Sequence, residues 1–243
     1  MKIAVWFSCG AASAAALKLT VEKYGLESVY AVNNPVVEED EDNVRFARDV
    51  ANWVGIDIQF AVNSKYPNAS AVEVFEHRKG MSFPHGAPCT VELKKRARQE
   101  WEKDNYVDWH VLGFTVEERS RHDRFVLTER ENVLPILIDA RMTKNDCADM
   151  IRAAGIKLPE IYSKGFPNAN CVGCVKASSP TYWNLVRREY PNVFKERAEQ
   201  SKRLGARLVR VAGKRIFLDD LDPSAKGRPL KVLPDCGLFC EEK

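Results

Sequence analysis

Short apolar runs alternate with amphipathic stretches through the first 155 residues. The apolar runs predict five strands, at Lys2–Ser8, Ser28–Asn33, Ile56–Val62, Val107–Phe114 and Val133–Ile138. The stretches between them have helical periodicity, and Thr143 with Asp146 caps the last of these helices. Because strands that alternate with helices pair in parallel, the pattern predicts an α/β fold with a doubly wound, mostly parallel five-stranded sheet. Ligands of such Rossmann-like folds bind at the carboxyl ends of the strands.

The pattern changes near residue 155. Residues 1–155 are the predicted nucleotide-binding core, and residues 156–243 form a C-terminal helical extension that contains cysteines and is expected to pack on the core as one domain. Within the core, residues 63–86 are rich in helix breakers and predict a long functional loop with one short helix at Ala71–Arg78. The acidic run Glu38–Asp42 is expected to form the solvated first turn of an amphipathic helix that ends at Gly55.

Composition excludes several classes of protein. With 45% hydrophobic and 29% charged residues, the 243-residue chain is typical of a globular protein. No apolar stretch is long enough for a signal peptide or a membrane span, so we expect a cytoplasmic protein with no membrane partner. The net charge of +3 does not indicate a nucleic-acid partner, although basic residues cluster at 94–98 and 119–124. Seven cysteines, an odd number, favour reduced thiols over a disulfide framework.

The turn after the first strand has the features of a phosphate-binding loop. It contains Ser8, Cys9, Gly10, Ala11 and Ser13 and leads directly into an Ala-rich helix. Gly10 permits close approach of the backbone to an anion, and the free N–H groups of a helix N-terminus favour negative charge. The alternative is an ordinary small-residue turn, but its place after the first strand favours the phosphate site.

A second polar cluster follows the fourth strand. It contains Gly113, Thr115, Glu118, Arg119, Arg121 and Arg124. Arginines at a strand end suit recognition of phosphate or sulfate through forked donors. The alternative is a solvated charged loop.

Cysteines supply the third candidate site. Cys89 precedes a basic helix, predicted at Val91–Trp101, where nearby Lys94 would lower the pKa of a thiol at the helix N-terminus; a buried, inert cysteine is the competing interpretation. Cys171 and Cys174 form a C-x-x-C motif, which is followed by a helix predicted at Pro180–Tyr190. Cys236 and Cys240 lie near the C-terminus. If these five thiols converge, they suffice for a zinc ion or a [4Fe-4S] cluster with one thiol left over.

Several of these segments occur in the order found in a known family. The quoted segments are Leu134–Ile136, Asp139, Thr143, Leu158–Tyr162 and Gly165–Cys174. Together they resemble the second half of the phosphoadenosine phosphosulfate (PAPS) and adenosine phosphosulfate (APS) reductase family, within the PP-loop adenine nucleotide alpha hydrolase-like superfamily. Four further segments resemble the family's glycine-serine loop, cysteine-lysine segment, G-x-R-x-x-E-S segment and C-terminal cysteine motif, namely Ser8–Ser13, Cys89–Lys94, Gly113–Ser120 and Asp235–Phe239.

The resemblance implies an enzyme that holds an adenine nucleotide (PAPS, APS or ATP) and uses Cys236 as the nucleophile, with a thioredoxin-like reductant to regenerate it. Asn33, at the end of the second strand, and Lys94 are assigned to the nucleotide with the loop and strand-end residues. The sequence departs from the family at four positions, which are Ala12, Pro88, Thr115 and Phe239. Ala12 stands where ATP-cleaving relatives have a magnesium-binding Asp, and this argues against ATP pyrophosphate cleavage.

Three hypotheses follow. The leading one is thiol-based sulfonucleotide chemistry by a PAPS reductase-like oxidoreductase or transferase. The second is an ATP-dependent sulfur-transfer or nucleobase-modifying enzyme with a [4Fe-4S] cluster on Cys89, Cys171, Cys174 and a tail cysteine, for which we assign Cys240. The third is a nucleotide-binding module without catalysis that carries a structural zinc.

Overall fold

A computed structural model describes residues 1–83 and 86–230, and its centre is a five-stranded, all-parallel sheet. The strands are β1 (Ile3–Trp6), β2 (Val29–Asn33), β3 (Ile58–Phe60), β4 (Trp109–Val111) and β5 (Val133–Leu134). Their order is β3-β2-β1-β4-β5, so β1 is central and Ile3 pairs with Val29 on one side and Trp109 on the other. The chain winds outward to β3 and then returns to β4, which confirms the doubly wound α/β fold. The topological switch point lies between β1 and β4.

Helices flank the sheet and build the extension. They are α1 (Ala11–Tyr24), α2 (Asp42–Val54), α3 (Ala71–Arg78), α4 (Ala97–Asp104), α5 (Arg119–Thr128), α6 (Ile136–Asp139), α7 (Lys144–Ala153), α8 (Glu160–Ser163), α9 (Pro180–Glu189) and α10 (Pro191–Arg203). A π-helical segment, Thr90–Arg96, leads directly into α4. A separate antiparallel hairpin contains β6 (Val209–Val211) and β7 (Lys214–Ile216). None of the helices in the described part of the chain is long and apolar enough to cross a membrane.

The strand β1 and the start of the helix α1 are deeply buried. All four residues of β1 are buried, as expected for a parallel strand covered on both faces. Three successive alanines of α1, Ala14–Ala16, have no exposed surface, so the helix is covered on more than one side, and their small size permits close packing. A second buried cluster joins Phe75 of α3 to Phe166 and Trp183 of the extension. Residues from both sides of position 155 therefore share one buried cluster.

One predicted strand is wrong in part. The predicted fifth strand, Val133–Ile138, is a strand only to Leu134, and α6 begins at Ile136. Pro135 stands at this change and has no N–H to continue the ladder, so the strand stops there. The predicted helix at Ala71–Arg78 has the same bounds in the structure, and Thr143 forms the expected capping box with Asp146.

The prediction for the acidic run Glu38–Asp42 is also wrong. Helix α2 begins at Asp42, and three of the four carboxylates before it make contacts with neighbouring elements. Glu38 accepts hydrogen bonds at the N-terminus of α3, including one of 2.8 Å from the Ala71 N–H. Glu39 pairs with Lys94 at 3.3 Å, and buried Asp40 pairs with Lys164 at 3.3 Å. This run therefore ties neighbouring elements together instead of forming a solvated first turn.

Candidate functional site

A cleft of about 1320 Å³ opens at the switch point between β1 and β4. Its walls contain three of the features singled out above, namely the turn after β1, the strand-end arginines and the cysteines of the C-x-x-C motif. Ligands in open α/β sheets bind at this point because the loops that follow two neighbouring strands turn in opposite directions there. The cleft is therefore the candidate site.

The turn between β1 and α1, Ser8–Ser13, presents backbone donors to the cleft. In the described part of the chain, the N–H groups of Gly10, Ala12 and Ser13 donate no hydrogen bond. The Ser13 hydroxyl fixes the turn, since its Oγ accepts from the Ser8 N–H at 3.1 Å and donates to the Gly10 carbonyl at 2.9 Å. Unpaired N–H groups at the start of a helix form a site for an anion. We call this turn the phosphate loop.

Two predicted nucleotide-binding residues support the loop from behind. Cys9 and Asn33 are buried, and neither lines the cleft. The Asn33 amide donates to the Phe7 carbonyl at 2.8 Å and to Cys9 Sγ at 3.6 Å. Cys9 has a left-handed φ of 54°, which is uncommon for a residue other than glycine, and burial raises the pKa of its thiol to about 12. Their side chains therefore hold the turn and face away from any ligand.

Gly113 allows the end of β4 to cross the loop closely. A Cβ atom built at this position would lie 2.8 Å from the backbone nitrogen of Ser13 and 3.0 Å from the carbonyl carbon of Ala12. These are backbone atoms of the first turn of α1, so a side chain here would displace the loop itself. By contrast, a Cβ at Gly10 would meet two side-chain hydroxyls, that of Tyr162 at 3.3 Å and that of Ser8 at 3.9 Å.

Only some residues of the predicted anion-binding cluster after β4 line the cleft. Arg121 and Arg124 line the cleft, as does Glu118, which accepts from Arg121 at 2.6 Å. Arg119 does not line it. Thr115 is fully buried, and its hydroxyl donates to Glu117 at 2.8 Å, so it faces away from the cleft.

Lys94 crosses from the π-helical segment into the same cleft. Its Nζ donates to the Asn34 carbonyl at 2.8 Å, just after β2, and pairs with Glu39. Both partners line the cleft too. One cation is therefore held at the carboxyl end of the sheet by two fixed acceptors.

Three predicted metal ligands share one wall of the cleft. Cys89, Cys171 and Cys174 all line it and are half-buried. The Tyr182 hydroxyl accepts a hydrogen bond of 2.8 Å from the Cys174 N–H and so orders the C-x-x-C turn. Burial raises the pKa of Cys89, Cys174 raises it further, and Lys176 opposes them. The interpretation that a basic helix lowers the pKa of Cys89 is wrong, because loss of hydration outweighs the nearby cations.

The donor set suits a soft metal, although these thiols alone do not complete a site. Burial raises the pKa of Cys171, and the two neighbouring thiols add to this, so the three sulfurs lie within electrostatic range of one another. Among residues 1–83 and 86–230, no group of three or more His, Cys, Asp or Glu side chains is arranged to hold a metal ion. Cys240, the predicted fourth ligand, and Cys236, the predicted nucleophile, lie outside the described residues.

Several residues of the cleft were not found by the sequence analysis. Tyr162 is one, since its hydroxyl accepts from the Ala11 N–H at 3.3 Å across 151 positions of sequence. The others are cations on distant segments, namely Lys144, Lys176, Arg210, Arg215 and Arg228. The only signal for Tyr162 was its place in a segment that resembles a family motif. Nothing in the local sequence marked the cations.

Comparison with known proteins adds no family assignment. No protein-family model matches the chain, and a search of curated proteins finds no match. The site must therefore be interpreted from its own geometry.

Proposed function

We propose that the protein is an enzyme that binds an adenine nucleotide on the phosphate loop and carries out thiol chemistry on it in the same cleft. One observation carries the proposal: the unpaired N–H groups of Gly10, Ala12 and Ser13 open into the same cleft as three thiols. A phosphate bound by these N–H groups would fix the nucleotide at the switch point. The reacting end of the nucleotide would then point along the cleft toward Cys89, Cys171 and Cys174, which we call the cysteine wall.

The reaction we propose is reduction of a sulfonucleotide, as the resemblance to PAPS reductases implies. A cysteine thiolate attacks the sulfur, the S–O bond to the phosphate breaks, and the nucleotide leaves with both electrons of that bond. The product on the protein is a cysteine thiosulfonate. A dithiol reductant of the thioredoxin class then supplies two electrons, releases sulfite and becomes a disulfide. We assign Cys236 as the nucleophile. Cys89, Cys171 and Cys174 are the reduced thiols that line the cleft.

One observation favours a second candidate. The cleft, at about 1320 Å³, is larger than the usual ligand pocket of roughly 300 to 1,000 Å³. It therefore has room for a nucleotide and for part of a second substrate. An ATP-dependent sulfur-transfer or nucleobase-modifying enzyme needs both, and a [4Fe-4S] cluster on the cysteine wall would supply one-electron or sulfur chemistry to it.

Nucleotide binding is tested with a matched pair of serine variants. Ser13 and Ser201 are both buried in helices, and each donates to a backbone carbonyl at 2.9 Å. Because Ser13 also fixes the loop, Ser13→Ala should weaken binding of PAPS or ATP about fivefold, as expected for a net hydrogen bond of roughly 1 kcal/mol. Ser201→Ala should leave the calorimetric affinity unchanged. If both variants and the parent bind the nucleotide with equal affinity, the phosphate loop is not the nucleotide site.

The cysteine roles are separated by metal content and adduct formation. In protein purified anaerobically, Cys171→Ser or Cys174→Ser should lower bound iron or zinc together with thermal stability, because a metal ligand contributes to the fold. Cys236→Ser should keep metal and stability but lose the thiosulfonate adduct, which mass spectrometry detects. Loss of metal from Cys236→Ser would contradict the assignment of this residue as the nucleophile.

A further inference from the structure

Four of the cations that line the cleft come from the C-terminal part of the chain. They are Lys176, Arg210, Arg215 and Arg228, all exposed, and we call them the basic rim. In the described part of the chain, none of them has a carboxylate within 4.0 Å. Across the whole cleft, cationic side chains outnumber acidic ones by ten to three. A chain with a net charge of only +3 thus concentrates positive charge in one place.

Backbone hydrogen bonds hold the basic rim beside the cysteines. The Arg210 N–H donates to the Ser178 carbonyl at 2.9 Å, and the Ser179 hydroxyl donates to the Arg228 carbonyl at 3.2 Å. Both serines lie a few positions after Cys174. The cations are therefore placed next to the C-x-x-C turn by fixed contacts of the main chain.

Hairpin contacts explain only one of two facing cations: Arg215 donates to the Leu208 carbonyl at 2.8 Å, whereas no described side-chain contact accounts for Arg210. Arg210 and Arg215 are direct cross-strand partners in the β6–β7 ladder, whose other face carries the buried Val209. Like charges directly opposite each other destabilise a strand pair. Each strand has only three residues, so the hairpin has little pairing energy to offset this repulsion. A bound anion near these side chains would offset the repulsion between them.

We propose that the basic rim binds the phosphodiester backbone of a single-stranded nucleic acid that enters the cleft. A small anion is bound by buried, convergent donors, whereas these four side chains are exposed and come from three separate segments. Exposed cations spread along a groove are the arrangement that tracks a chain of phosphates. This site is additional to the nucleotide site of the proposed function, because it uses none of the phosphate-loop residues.

The test measures binding of fluorescein-labelled 20-nucleotide RNA and DNA strands by anisotropy at two salt concentrations. If all four cations contact phosphates, the salt slope is about 2.8, and affinity falls about 50-fold between 50 and 200 mM salt. Arg210→Ala/Arg215→Ala should weaken binding and lower that loss to about sevenfold, since two contacts remain. Arg210→Lys/Arg215→Lys should keep most of the affinity because it keeps the charge. A difference between RNA and DNA identifies which strand the site takes.

The control removes the same charge elsewhere. Arg48 and Lys103 are exposed and do not line the cleft, so Arg48→Ala/Lys103→Ala should bind both strands as the parent does. Calorimetry with ATP on the Arg210→Ala/Arg215→Ala variant should give the parent affinity, which separates this site from the nucleotide site. No binding by the parent, or equal losses in the control and the rim variant, would overturn the proposal.

Discussion

The phosphate loop and the basic rim lie in one cleft but are built in opposite ways. The loop offers backbone N–H groups fixed by buried side chains such as Asn33 and Ser13. The rim offers exposed side chains on a short hairpin and on the segments beside it. Donors fixed in place lose little entropy on binding and select shape, whereas mobile cations act through charge and respond to salt. The difference suggests that one end recognises a defined small group and the other a long, repeating anion.

The largest effect is expected where a side chain would enter the loop. In Gly113→Val, the new Cβ would lie 2.8 Å from the backbone nitrogen of Ser13, so the first turn of α1 must move. A displacement of this kind is expected to weaken nucleotide binding about 100-fold or more. Oligonucleotide binding should stay near the parent value, because the basic rim does not depend on this contact. Calorimetry and anisotropy on the same preparation measure both.

Gly10→Ala is the milder control for that variant. Its Cβ meets a hydroxyl oxygen at 3.3 Å, which moves more easily than backbone. The loss of nucleotide affinity should therefore be much smaller than for Gly113→Val. If the order of the two effects is reversed, close backbone packing is not what shapes the loop.

The mirror experiment changes Gly227 at the other end of the cleft. A Cβ there would lie 2.6 Å from Pro180 Cδ and 2.8 Å from Ser179 Oγ, so Gly227→Val must shift the segment that carries Arg228. We expect oligonucleotide affinity to fall about tenfold, equivalent to about 1.4 kcal/mol, with nucleotide affinity kept. A variant that loses both ligands equally would indicate that the two ends of the cleft are not independent.

A separate effect concerns acid stability at β4, beside the central strand. Buried His110 accepts from the Trp6 indole at 3.1 Å, and burial, followed by the charges of Arg130 and Arg98, lowers its pKa to about 3. Between about pH 6.5 and 3 the unfolded chain binds a proton that the folded protein does not. The free energy of unfolding should therefore fall with decreasing pH, by at most about 1.4 kcal/mol per pH unit from this group.

Denaturant unfolding across that pH range checks the effect. His110→Gln stays neutral, so its stability should depend less on pH than that of the parent. His77 is exposed, and His77→Gln is the control for replacing a histidine outside the core. An equally steep dependence in the His110→Gln variant would mean that other groups cause the acid sensitivity.

Local signals predicted the fold class and the elements around the N-terminal turn well. The apolar run, small-residue turn and Ala-rich helix at the N-terminus predicted β1, the phosphate loop and α1, because each depends on neighbouring residues. The end of β5 was misjudged because apolar residues continue past Pro135 into a helix. The β6–β7 hairpin was missed because three-residue strands with charged positions give no periodicity.

Contacts that depend on the tertiary fold could not be predicted. The Ala11 N–H donates to the Tyr162 hydroxyl, and Arg210 pairs with Arg215 across the hairpin. No local sequence pattern indicates either of these contacts. The prediction of a lowered pKa for Cys89 was wrong for a related reason. The nearby lysines are visible in the sequence, but the burial of the thiol is not.

The most direct test of the account is to follow backbone amide signals by NMR while an adenine nucleotide is added. Binding at the phosphate loop predicts large shifts for the amides of Gly10, Ala12 and Ser13, because their N–H groups would donate to phosphate. The amides of Arg210 and Arg215 should move only when an oligonucleotide is added. Nucleotide-induced shifts confined to the hairpin, with the three loop amides unchanged, would contradict the central claim that the loop is the nucleotide site.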